Sequence, residues 1–66
     1  MTDLQTTQFQ QLLSDAIIRQ CEDQFGSPAE VATYEEAGIL TDDAGLVVEV
    51  TDPIGARFQV TIIRVG

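Results

Sequence analysis

The chain has 66 residues, eleven acidic side chains against three basic ones, and a formal net charge of −8. That length allows one small domain, residues 1–66, near the lower end of what folds unaided. Without histidine and with a single cysteine, Cys21, it lacks the commonest general base, the commonest metal ligand, an intrachain disulfide and any cysteine-based zinc site.

The charge also speaks against direct binding to nucleic acid or an anionic membrane, since both require a basic footprint. Hydrophobic residues make up 44% and charged residues 21%, a globular rather than disordered profile. Apolar runs such as Leu46-Val47-Val48 fall far short of the ~20 residues of a membrane span. The N-terminal Met1-Thr2-Asp3-Leu4 has neither the basic nor the apolar region of a secretory signal, so a cytoplasmic setting with Cys21 reduced is expected. The basic residues are Arg19, Arg57 and Arg64, and lysine is absent.

The first 25 residues read as one amphipathic helix. Phe9, Leu12, Leu13, Ala16, Ile17, Cys21 and Phe25 recur at helical spacing. Thr2 with Gln5 suits a capping box, Asp3 adds negative charge to the first turn, and Gly26 suits the C-terminal cap. Arg19 is spaced to pair with Asp15, Glu22 or Asp23 on the outer face.

Ser27-Pro28-Ala29-Glu30 carries the signals of a second, short helix, running from Pro28 to about Ala32 or on to Ala37 and ended by Gly38. Thr33 and Glu36 form another capping box, so a break at Thr33 is the alternative. From Ile39 the hydrophobic period becomes two, predicting strands at about 46–51 and 57–65 and a short third strand at 39–41. Asp42-Asp43-Ala44-Gly45 and Asp52-Pro53-Ile54-Gly55 are turns by residue type. The expected fold class is α+β: a long N-terminal helix and a short second helix on a small antiparallel sheet with a C-terminal hairpin.

The expected inward set is Phe9, Leu12, Leu13, Ala16, Ile17, Phe25, Leu40, Leu46, Val48, Val50, Phe58, Val60 and Ile62. A chain this short without metal or disulfide is marginal by itself. Ile18, Val47, Ile63 and Val65 fall off the main stripe or on the other sheet face, which predicts an apolar surface for a second copy or another protein. The C-terminal strand, guarded only by Arg57 and Arg64, is the expected exposed edge, with Val47, Ile63 and Val65 as its contact residues.

The carboxylates do not have the spacing of a calcium loop: Asp42-Asp43-Ala44-Gly45 lacks alternate oxygen ligands and Asp52-Pro53-Ile54-Gly55 offers one. Paired acid–base catalysis needs a dehydrating cleft that so small a domain has little room to build. Cys21 lies in the apolar stripe beside Glu22 and Asp23, which suppress a thiolate. The five glycines sit at predicted ends and turns, with no phosphate-cradling loop. Tyr34 is expected to cover the helix–sheet junction with its hydroxyl in water. No enzyme activity, cofactor or metal is therefore expected, and no residue-level motif ties the chain to a known family.

What remains is an interaction protein. An acidic face of Asp15, Glu22, Asp23, Glu30, Glu35 and Glu36 would dock on a basic surface of a larger protein. In its most concrete form that partner handles nucleic acid and the carboxylates stand in for phosphates, as in small phage-encoded inhibitors of host defence, an analogy of size and charge alone. The rival reading is a structural homodimer through the sheet edge or face.

Overall fold

The computed structural model describes residues 3–52 and 54–66. Asp3 is extended, and its Oδ1 accepts the Thr6 N–H at 2.7 Å, so this residue is itself the N-cap of α1 (Leu4–Phe25). The expected box residue Thr2 lies outside the described residues. Gly26 ends the helix at φ 80°, donating its N–H to the Glu22 carbonyl at 2.9 Å, as its lack of a Cβ allows. At 22 residues and 1.5 Å each, α1 spans about 33 Å and sets the 35 Å long axis of the molecule.

Three strands follow in order, β1 (Glu30–Thr33), β2 (Ala44–Val50) and β3 (Ala56–Ile62), forming an antiparallel sheet with β2 in the centre. The α+β class is as expected, with corrections to its parts: Ala44 and Gly45, expected in a turn, open β2, and the last strand ends at Ile62 rather than near 65. The segment opening with Ser27-Pro28 forms no second helix; Glu30–Thr33 is a strand, with Val31 opposite Val48 and Thr33 opposite Leu46. β-Branched side chains beside a long apolar strand gain more from cross-strand packing than from a local helix start. The third strand is therefore β1, and Ile39-Leu40-Thr41 is a connection.

The Thr33–Glu36 box does form, as a single helical turn. Glu36 donates its N–H to Thr33 Oγ1 at 3.1 Å, while the Thr33 N–H donates to Glu36 Oε1 at 3.0 Å. Gly38, at φ 77°, closes the turn: its N–H reaches the Glu35 carbonyl at 3.2 Å, and the Ile39 N–H reaches the Tyr34 carbonyl at 2.9 Å.

The core lies between α1 and the β1–β2 half of the sheet. Ala29, Leu46, Val48 and Val50 are buried, and Leu13, Ile17, Cys21, Val31 and Val60 pack against them. Several residues of the expected inward set stay outside: Phe9 is 52% exposed, Leu12 63%, Phe25 40% and Phe58 48%, and Leu40 and Ala16 are exposed too. The apolar positions of α1 cover more than half its circumference at about 100° per residue. A helix lying on two strands buries only a stripe of that arc, here the one holding Leu13, Ile17 and Cys21.

The face away from the helix is covered by a different device. Tyr34, only 6% exposed, lies over Gly45, where any Cβ would run into its ring. Its hydroxyl pairs with Thr61 Oγ1 at 2.6 Å. Tyr34 is thus neither at the helix–sheet junction nor wet at its hydroxyl: it clamps β2 and β3 from the far side. Val47 is buried on the same face, beside a depression it shares with Ala37 and Ile39.

Candidate interaction surface

A sheet of three strands has two edges, and the local chemistry of this chain caps the Thr33 end of one of them. Tyr34 N–H donates to the Gly45 carbonyl at 3.0 Å. By the period of two, Gly45, Val47 and Glu49 therefore turn their backbone groups toward β1. On β1 the groups of Val31 and Thr33 face outward. Those of Thr33 are satisfied internally, the N–H by Glu36 Oε1 at 3.0 Å and the carbonyl by the Ala37 N–H at 2.9 Å. The hydrogen bonds from Thr33 hold the Glu36 carboxyl below the usual carboxylate range. This edge carries Glu30, with Glu35 and Glu36 in the turn that caps it.

The other edge is open. Ala44, Leu46, Val48 and Val50 direct their backbone groups toward Ile62, Val60, Phe58 and Ala56 of β3. The N–H and C=O groups of Arg57, Gln59 and Thr61 consequently line the outer edge, and among the described residues no backbone group from outside the sheet bonds to them. All three residues are exposed. Among the described residues the ion pair here is a loose one within the sheet, Arg57 to Glu49 at 3.6 Å.

The edge continues into apolar surface. α1 packs on β1 and β2, leaving Phe58 on the helix side of β3 half-exposed. Phe9 of the helix, Ile62 of β3 and the exposed Ile63 line a recess of about 300 Å³ together with Gln5, Thr6 and Arg64. Arg64 Nη1 sits 3.0 Å from Asp3 Oδ2, fastening the segment after β3 to the start of the helix. Both side chains are about half exposed, so the pair contributes little to stability. Of the three expected contact residues, Ile63 (66% exposed) and Val65 (96%) present surface beyond the end of β3. Val47 does not: it is buried, in a depression that Ala37 and Ile39 also line.

The carboxylates are arranged differently from one docking face. Asp15 and Glu22 lie seven residues apart on α1, two turns along one exposed line, with Asp23 beside Glu22. Glu30 is on β1 opposite Glu49, on the sheet face away from the helix. Glu35 and Glu36 instead join Asp42 and Asp43, absent from the sequence-based set, around an open recess of about 940 Å³ that also borders Thr7, Gln10 and Gln11 of the helix. Periodicity could not find this grouping, because the 33–45 connection brings together pairs six residues apart through a turn. Arg19 makes none of its expected ion pairs among the described residues.

Among the described residues no three histidine, cysteine or acidic side chains converge closely enough to hold a metal ion, and no helix is long and apolar enough to cross a membrane. The carboxylates are nonetheless partitioned along the chain: all eleven lie at or before Asp52, whereas residues 53–66 carry Arg57, Arg64 and no acid. The acid-free segment is the one that forms the open edge. No protein-family model, curated protein or solved structure matches this chain.

Proposed function

We propose that this protein is a small acidic interaction protein, not an enzyme, that binds a larger protein through a basic surface of that partner. The observation that carries this reading is the placement of charge: eleven carboxylates, none of them buried, over residues 3–52. The rim of Glu35, Glu36, Asp42 and Asp43 around an open recess offers a seat for a protruding arginine or lysine. Asp15, Glu22 and Asp23 extend the negative surface along the helix. In the most specific form the partner handles nucleic acid, and the carboxylates occupy the surface its phosphates would fill. The same reading needs no cofactor or metal and suits a cytoplasmic setting.

The test is capture on the immobilised protein at low and high salt. Partners should carry basic surfaces and elute as ionic strength rises, because the Debye length falls from about 10 Å at 0.1 M to about 3 Å at 1 M. A variant with Glu35→Gln, Asp42→Asn and Asp43→Asn should lose them. Binding that is indifferent to salt and to these changes contradicts the acidic-surface reading. A second reading, self-association, is favoured by one specific observation, the open and acid-free edge of β3.

A further inference from the structure

We infer that the outer edge of β3 is occupied by a second copy of this chain, β3 pairing antiparallel with β3 of the partner about a two-fold axis at Gln59. This rests on the self-association reading and assigns its strand, direction and register. The result is a continuous six-stranded sheet with both helices on one face.

Charge selects the edge at which two copies can meet. Two copies at −8 each repel over most of their surfaces, and the β1 edge presents Glu30, Glu35 and Glu36 besides being capped at Thr33. The β3 edge is the one sheet margin that two such copies can bring together without juxtaposing carboxylates. A two-fold contact must also be complementary to itself. With Gln59 on the axis, Gln59 exchanges both backbone bonds with its symmetry mate, and Arg57 does so with Thr61 of the other copy, so the outward groups of all three residues are satisfied. The two Arg57 side chains are then offset by four residues, about 13 Å along the strands, beyond the ~8–10 Å Debye length at physiological salt. On the helix side this register sets the half-exposed Phe58 against Val60 of the other copy, an aromatic–β-branched cross-strand pair.

Because the Gln59 N–H points out of the sheet, proline at that position blocks pairing without removing a β2–β3 bond, as edge strands tolerate. The experiment is sedimentation equilibrium from micromolar to millimolar protein on the wild type, Gln59→Pro and Gln59→Lys, with circular dichroism on each. The wild type should dimerise. Gln59→Pro should keep the wild-type spectrum and weaken the dimer about tenfold or more, having lost both bonds at the axis. Gln59→Lys places like charges opposite one another and should weaken it too, with recovery at high salt. A wild type that stays monomeric at millimolar concentration overturns the proposal together with the self-association reading. A dimer indifferent to both substitutions overturns the β3 pairing while self-association survives.

Discussion

The two margins of this sheet are built from the same kind of backbone and treated in opposite ways. At β1 the outward N–H and C=O of Thr33 are taken up by Glu36 and Ala37 at 3.0 and 2.9 Å, the helix lies above, and carboxylates stand around it. At β3 the outward groups of Arg57, Gln59 and Thr61 find no such cap among the described residues, Phe58 is half-exposed, and no acid lies anywhere in residues 53–66. Unpaired strand edges invite further strands, and proteins that stay monomeric blunt them. This chain caps the Thr33 end of one edge with a turn and leaves the outward groups along the other without such a cap.

The strongest way to break this comparison is to truncate equivalent apolar side chains on the two halves. Leu46, 1% exposed beneath the helix, should cost about 2–5 kcal/mol as Leu46→Ala, enough to unfold a chain this small in a urea titration. Phe58→Ala, on the uncovered half, should change the stability of the dilute monomer far less, while weakening self-association at high concentration. Equal losses of monomer stability at both sites would mean that β3 is as fully packed as β2.

A smaller effect tests the clamp between the halves. Gly45→Ala pushes a methyl group into the Tyr34 ring, and displacing that ring should cost about 1–3 kcal/mol by thermal or urea unfolding. The double change Gly45→Ala with Tyr34→Ala should then be less harmful than the two single losses combined, since the collision disappears with the ring.

The smallest effect is a pH dependence carried by two capping carboxylates. Asp3 and Glu36 both have carboxyl groups lowered from 3.8 and 4.5 by hydrogen bonds, from Thr6 and Thr33 respectively. A carboxyl lowered in the folded state stabilises it fully above the unfolded value and loses that contribution as pH falls through the folded value. Urea midpoints should therefore decline in acid below about pH 4.5, and Glu36→Gln should flatten part of that decline. An unchanged slope would remove Glu36 from the account of the β1 edge.

Much of this organisation is legible in the sequence, and the failures share a cause. The helix from Leu4 to Phe25, the hairpin of β2 and β3, and the position of the last strand at the margin follow from periodicity, turn residues and chain order. Periodicity also identifies an apolar arc on α1, but not which part of it meets the sheet. Leu13 and Ile17 turn inward, whereas Phe9 and Leu12 remain exposed, because the helix lies mainly over β1 and β2. The capping signals at Ser27-Pro28 are real local preferences that yield to the pairing of Val31 with Val48. Alternation assigns Val47 to the far face, but its burial in a depression also lined by Ala37 and Ile39, from the turn after β1, is a tertiary event. The grouping of Glu35 and Glu36 with Asp42 and Asp43 depends on the same turn, and the uncapped edge emerges only once the direction of each backbone group is known.

Residue-resolved amide hydrogen exchange as a function of protein concentration tests the contrast between the two edges most directly. The Thr33 amide, held by Glu36, should be protected at every concentration. The Gln59 amide should exchange freely in dilute protein and become protected as concentration rises into the dimer range. A Gln59 amide that exchanges at the same fast rate across that range, while the protein demonstrably self-associates, would contradict the account by showing that the copies meet elsewhere.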